Sequence, residues 1–133
     1  MPKILSILPL IILLSCYNTE RDCANFKTGT FEFETLLGTE VLKTKFIRND
    51  SMEIDYFKNK IDTFSVRWIN DCEYVMKKLR PKNQSEKEPV QFKILSTHGD
   101  QYTFEYSMVI KKKNQKNVVM KGTAIKLDSN IEN

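Results

Sequence analysis

Residues 102–110 read YTFEYSMVI, and this stretch decides the fold. Apolar or aromatic side chains at Tyr102, Phe104, Tyr106 and Met108 alternate with polar ones. A period of two places the two kinds of side chain on opposite faces of a β-strand, whereas an amphipathic helix requires a period of about 3.6 residues. The stretch therefore predicts a strand that buries one face in a hydrophobic core.

The same alternation recurs along the chain after residue 22, for example at Phe64, Val66 and Trp68. Two strand-like stretches, residues 41–48 and 118–127, do not show which of their faces is apolar. In the last one, a bulge at Gly122 would switch the apolar side chains from one face to the other. We predict eight strands, at about residues 26–35, 40–48, 51–57, 62–70, 72–80, 89–97, 100–111 and 117–127.

Most connections between these strands are short. The pair ND at residues 49–50 and 70–71, and HGD at residues 98–100, are typical of hairpin turns. Consecutive hairpins form an up-and-down meander, and a meander of eight strands removes its exposed edges by closing into a barrel. The predicted fold class is therefore all-β, an eight-stranded antiparallel barrel over residues 23–127 with a tail at residues 128–133. An open antiparallel sheet or a two-layer sandwich is the alternative.

Residues 1–15 have the pattern of an export signal. Lys3 supplies a positive charge before an apolar run over residues 4–14, which is too short for a transmembrane helix. The run ends in LLSC at residues 13–16, which resembles a bacterial lipobox. This resemblance implies removal of the signal peptide and acylation of Cys16 with chains such as palmitate, which anchor the protein in a membrane. A plain signal peptide is the alternative.

The sequence also predicts a compartment. Residues 16–22 are interpreted as the lipidated cysteine and its tether, and Tyr17 stands where some bacteria place the Asp that retains a lipoprotein in the inner membrane. We therefore predict a lipid-anchored protein of the bacterial cell envelope, with the outer membrane favoured. The net charge of +4 is too small to indicate nucleic acid, and export argues against such a partner.

Two resemblances support this picture. FKTGTF at residues 26–31 resembles the G-x-W stretch on the first strand of lipocalin-like and fatty-acid-binding-like barrels, with Phe31 at the Trp position. The lipobox, DC at residues 22–23, IRNDS at residues 47–51 and WINDCEY at residues 68–74 are together similar to a family of small bacterial lipoproteins. The resemblance implies a lipid-anchored, lipocalin-like barrel.

Two cysteines are expected to meet. The turns of a meander alternate between the two ends of the barrel, so Cys23, before the first strand, and Cys72, in a turn, fall at the same end. An exported domain lies in a compartment that permits disulfides. We predict a structural Cys23–Cys72 disulfide, with two free buried thiols as the alternative.

The barrel interior is predicted to be aromatic. Its inward-facing residues are Phe31, Phe33, Ile54, Tyr56, Phe64, Val66, Trp68, Tyr74, Met76, Phe92, Ile94, Phe104, Tyr106 and Met108. Such side chains either fill a small barrel or line a cavity for one apolar ligand, and both interpretations stay open. The candidate ligand-binding residues are Phe31, Phe33, Tyr56, Phe64, Trp68, Tyr74, Phe92, Phe104 and Tyr106.

Lysines gather in the connections at the end opposite the cysteines. A basic rim at a barrel mouth attracts anionic groups, while the simpler interpretation is that these are solvated loops that keep strand edges from pairing. The predicted rim consists of Lys82, Lys87, Lys111, Lys112, Lys113 and Lys116.

The sequence holds no glycine-rich phosphate loop, no H-E-x-x-H and no G-x-S-x-G, and its one histidine, His98, lies in a predicted turn. We therefore expect no catalytic residues, no metal and no cofactor. The predicted function is a non-enzymatic envelope lipoprotein that binds a small apolar or amphiphilic ligand in the barrel. The alternative is a structural lipoprotein with a filled barrel that meets an envelope protein through its outer face or its basic rim.

Overall fold

The computed structural model describes residues 21–127, and the lipobox, the start of the tether and the C-terminal tail lie outside them. Within that range no helix is long and apolar enough to cross a bilayer. The eight strands are β1 (Gly29–Leu37), β2 (Glu40–Arg48), β3 (Met52–Phe57), β4 (Lys60–Trp68), β5 (Glu73–Lys78), β6 (Val90–His98), β7 (Gln101–Met108) and β8 (Met120–Leu127). Two short 3₁₀ helices, Cys23–Phe26 and Ser85–Lys87, complete the elements.

The strands form a closed antiparallel barrel in sequence order. Each strand pairs with the next, and β1 also pairs with β8 from Thr30 opposite Leu127 to Phe33 opposite Ala124. The predicted all-β, up-and-down barrel is confirmed, and the open sheet and the sandwich are excluded. The strand bounds lie within about three residues of those expected, which is the usual error of a pattern-based assignment.

Alternate residues of each strand face the core. In β7 these are the residues that the sequence pattern predicts, since Tyr102 and Phe104 are buried. In β3 the predicted phase was wrong: Glu53 is buried, while Tyr56 is 37% exposed. Ile54 and Tyr56, expected to face the interior, therefore lie on the outer surface, and Glu53 and Asp55 face inward. The main buried cluster is Cys23, Phe26, Phe31, Phe46, Ile94, Tyr102, Phe104 and Ala124.

Gly122 does not mark a bulge. It lies opposite Phe104 in a continuous register, and the only register shift between β6 and β7 falls between Ile94 and Ser96. A Cβ at residue 122 would lie 2.5 Å from Cε2 of Phe33 and 2.8 Å from Cζ of Phe104. Glycine is needed here because two aromatic rings pack directly against the backbone.

The first 3₁₀ helix, Cys23–Phe26, covers one end of the barrel, and we call it the cap. Phe26, the last residue of the cap, is almost fully buried. Lys27 forms an ion pair of 3.0 Å with Asp71, and Nζ of Lys126 donates to the carbonyl of Asn25 at 2.6 Å. These contacts close the end of the barrel at which the chain enters.

The predicted disulfide is present. Cys23 in the cap is bonded to Cys72 in the β4–β5 turn, with their Cα atoms 5.2 Å apart. Cys23 is buried, so the bond ties the cap to the barrel from inside the core.

We expect reduction of Cys23–Cys72 to lower the free energy of unfolding by about 4 kcal/mol, since the bond closes a loop of 49 residues. Urea unfolding of the oxidised and reduced protein measures the change. The double variant Cys23→Ser/Cys72→Ser is the control, because its midpoint should not respond to the reductant. Equal midpoints for the oxidised and reduced wild type would contradict the prediction.

Candidate functional site

The end of the barrel opposite the cap opens into a cavity of about 700 Å³. Its mouth lies between two long connections, residues 79–89 between β5 and β6 and residues 109–119 between β7 and β8. The closed end is filled with side chains, whereas the mouth end is not. A volume of this size falls in the range of small-molecule sites, which is about 300–1,000 Å³.

One wall of the cavity is apolar and largely aromatic. The rings of Phe92 and Tyr106 stack with their centroids 5.3 Å apart, and the ring centroids of Phe33 and Phe104 are 5.5 Å apart. This wall comes from β1, β6, β7 and β8 and consists of Phe33, Phe92, Phe104, Tyr106, Met108 and Met120.

Not every predicted ligand-binding residue reaches the cavity. Phe31 and Trp68 pack in the core at the closed end, and Tyr56 lies on the outer surface. Those that line the cavity are Phe33, Phe64, Tyr74, Phe92, Phe104 and Tyr106. The structure therefore brings two thirds of the predicted set together, although their role as ligand contacts stays a prediction.

The predicted rim lysines divide in the same way. Lys111, Lys112 and Lys116 line the mouth. The other three predicted lysines, Lys82, Lys87 and Lys113, are exposed in the same two connections but do not line it. Lys78 on β5 lines the cavity although it is not among the predicted rim residues.

The floor of the cavity is built around Arg48 on β2, which is only 2% exposed. Nε of Arg48 donates to Oε2 of Glu53, its cross-strand neighbour on β3. Nη1 donates to the carbonyl of Phe26 in the cap at 3.1 Å. Nη2 donates to the hydroxyl of Tyr74 at 2.8 Å and to that of Tyr102 at 3.2 Å. The guanidinium therefore links four separate parts of the barrel.

Aromatic faces complete the surroundings of Arg48. Its Cζ lies 4.5 Å from the ring centroid of Tyr74 and 5.2 Å from those of Phe31 and Phe46. A cation over an aromatic face is stabilised by the ring quadrupole, more so where water is excluded. Burial also raises the pKa of Tyr74 and Tyr102, so both hydroxyls remain protonated.

Asp55 lies on the same wall as Glu53, two residues further along β3 towards the mouth. One of its carboxyl oxygens, Oδ1, is buried and has no hydrogen-bond partner. Burial raises the pKa of Asp55 to about 8, Glu53 beside it adds to the shift, and Arg48 opposes it. A carboxyl group in this state is protonated at neutral pH but is close to ionising.

The wall continues towards the mouth as a series of paired charges. Asp62 on β4 is the direct neighbour of Asp55 and forms an ion pair of 3.2 Å with Lys78. Lys78 also contacts Glu86 in the second 3₁₀ helix at 3.2 Å. We call Glu53, Asp55, Asp62, Lys78 and Glu86 the polar strip. It lies across the barrel from the aromatic wall, where it places charged groups among the apolar side chains of Phe46, Phe64 and Met76.

The roles of Arg48, Glu53 and Asp55 were not predicted from the sequence. Its pattern left open which residues of β2 face the interior, and for β3 it assigned the wrong face to the interior. One signal could have found the first two. Arg48 and Glu53 lie at equivalent positions on either side of the turn at residues 50–51, so they pair across the hairpin and share a face of the sheet. An opposite-charge pair at such positions is a recurrent stabilising contact between strands.

The described part of the chain holds no group of three or more His, Cys, Asp or Glu side chains arranged to bind a metal ion. His98 is exposed at the end of β6, beside the turn. Comparison of the chain with protein-family models, with curated proteins and with solved structures finds no match in any of the three.

We expect Arg48→Met to lower the free energy of unfolding by about 3–5 kcal/mol, because it leaves the carboxylate of Glu53 buried without its cation. The double variant Arg48→Met/Glu53→Leu should recover a large part of this loss, since no unpaired charge then remains. Urea unfolding of both variants measures the difference. A double variant as unstable as the single one would contradict the prediction. Lys43→Met, which removes exposed ion pairs with Glu32 and Glu34, is the control.

Asp55 should make the protein less stable as the pH rises. Between about pH 4 and about pH 8 the folded protein holds a proton that the unfolded chain has lost. The free energy of unfolding should therefore fall across this window, by at most about 1.4 kcal/mol per pH unit. Asp55→Asn removes the titration, so its thermal midpoint should fall less than that of the wild type.

The matched control is Asp50→Asn, which changes an exposed carboxylate in the turn before the same strand. Its thermal midpoint should follow the wild-type pH profile. Identical pH profiles for the wild type and Asp55→Asn would show that Asp55 does not hold the extra proton.

Proposed function

We propose that the protein is a lipid-anchored component of the bacterial cell envelope that binds one small apolar or amphiphilic molecule in its barrel, without catalysing a reaction. The single observation that supports ligand binding is the cavity of about 700 Å³, closed at one end and open at the other. Eight-stranded barrels are of a width that holds either packed side chains or one small ligand.

The lining supports an amphiphilic ligand in particular. A purely apolar molecule would leave Oδ1 of Asp55 without a hydrogen-bond partner, and a purely polar one would lose its hydration against the rings of Phe92, Phe104 and Tyr106. A molecule with an extended apolar part and one polar group matches both walls. The volume also argues against the alternative function of a filled barrel that acts only as a protein-interaction surface.

The lipid anchor and the envelope location rest on Cys16 and the sequence before it, which lie outside the described residues. The Cys23–Cys72 disulfide is consistent with export, because such bonds persist in oxidising compartments. On this proposal the protein meets a membrane through its acylated cysteine, and the cavity takes its ligand through the other end. The resemblance to small bacterial lipoproteins supports the same assignment.

The protein should bind the neutral fluorescent probe N-phenyl-naphthylamine, and decanol should displace it. Thr44→Trp should weaken probe binding by about tenfold or more, because the indole occupies the cavity that Thr44 lines. Fluorescence titration of delipidated protein measures both. Lys45→Trp is the matched control, since it adds the same side chain at the next, exposed position of β2.

Native mass spectrometry of the purified protein gives an independent measurement, as a retained ligand adds a discrete mass. Two outcomes would contradict the proposed function: a wild-type protein that binds no probe, and a Thr44→Trp variant that binds it as well as Lys45→Trp does.

A further inference from the structure

The acidic groups that line the cavity form ion pairs, with one exception. Glu53 is bound by Arg48, Glu86 by Lys78, and Glu88 lies 3.8 Å from Lys112. Among the cavity-lining acids, Asp55 is the one for which the described residues show no ion pair. Its Oδ1 also has no hydrogen-bond donor.

Four of the five N–H groups of Arg48 are already used within the protein, so it has little capacity left to bind an anion. Its Nε and both Nη atoms already donate to Glu53, Phe26, Tyr74 and Tyr102. A negatively charged group that reached the floor would lie beside the carboxylate of Glu53, which repels it. The inner part of the cavity therefore disfavours a carboxylate and favours a group that can donate hydrogen bonds.

The surroundings of Asp55 also suit a positive charge. Phe46 is its direct cross-strand neighbour on β2, and Phe64 is that of Glu53 on β4. Both rings line the cavity. Aromatic faces combined with a carboxylate are a common arrangement around bound ammonium groups, because the ring quadrupole and the carboxylate both attract a cation.

We propose that the cavity binds an aliphatic amine, with the ammonium group inside the barrel at Asp55 and the hydrocarbon chain along the aromatic wall. The inference rests on the proposed function, because it specifies the ligand of the same cavity. The ammonium group supplies the donor that Oδ1 of Asp55 lacks, and it completes the series of charge pairs along the polar strip.

The titration of Asp55 makes the proposal measurable. Its pKa of about 8 means that the carboxyl must lose a proton before it pairs with an ammonium group. The charged groups that face it are Glu53 on its own strand, Arg48 on β2, Asp62 on β4, and Lys78 on β5, which binds Asp62. Amine binding should therefore release a proton and strengthen as the pH rises towards about 8.

The test compares decylamine, decanol and decanoate, which differ only in the head group, as displacers of N-phenyl-naphthylamine from the full chain. At about pH 8 decylamine should bind about tenfold more tightly than decanol, as a charge-assisted hydrogen bond predicts. From about pH 6 to about pH 8 its affinity should rise, by at most about tenfold per unit, while that of decanol stays level.

Asp55→Asn should remove both the preference for decylamine over decanol and the pH dependence of decylamine binding. Asp50→Asn should change none of these values. The pH dependence of the wild type needs no variant, so it tests the proposal even if a substitution disturbs the fold.

Three results would overturn the amine proposal while leaving ligand binding intact: decanol binding as tightly as decylamine, decanoate binding most tightly through the mouth lysines, or Asp55→Asn binding decylamine as the wild type does. If none of the three compounds displaces the probe and the probe itself does not bind, the proposed function fails instead.

Discussion

The pairing of β1 with β8 is the constraint on which the rest of the structure depends. Closure gives every strand two neighbours, so no strand edge is left to pair with another chain. It also sets the width of the interior independently of the side chains that must fill it. At the capped end the aromatic residues and Arg48 fill that width. Towards the mouth they do not, and the cavity is the volume that remains.

Much of this fold could be predicted because one face of most strands is apolar. The alternation around Phe104 and the turn residues near positions 50, 71 and 99 were enough to count eight strands and to order them. The same topology placed Cys23 and Cys72 at one end, where they are bonded. The cap was not predicted, because the short segment Cys23–Phe26 has no period that distinguishes a 3₁₀ turn from the start of a strand.

The candidate site was harder to predict, and β3 shows why. Its apolar residues Ile54 and Tyr56 lie outside and its acidic residues lie inside, which reverses the usual pattern. The reversal is stable only because Arg48 on the neighbouring strand faces the same interior. A buried charge pair is a tertiary feature, so a single strand's pattern cannot reveal it. The cavity volume likewise depends on strand tilt and side-chain rotamers, which periodicity does not report.

The position of the cap determines which end of the barrel lies nearer to Cys16, the proposed site of membrane attachment. Arg21 donates to the carbonyl of Ile94 at the capped end, so the chain reaches the barrel from that side. The five Cα-to-Cα steps from Cys16 to Arg21 span at most about 18 Å. β7 alone, at about 3.4 Å per residue, extends roughly 27 Å. If Cys16 is held in a bilayer as proposed, an upright barrel directs its opening to the aqueous space beyond. The ligand would then enter the cavity from that aqueous space, and the membrane would serve only to hold the protein.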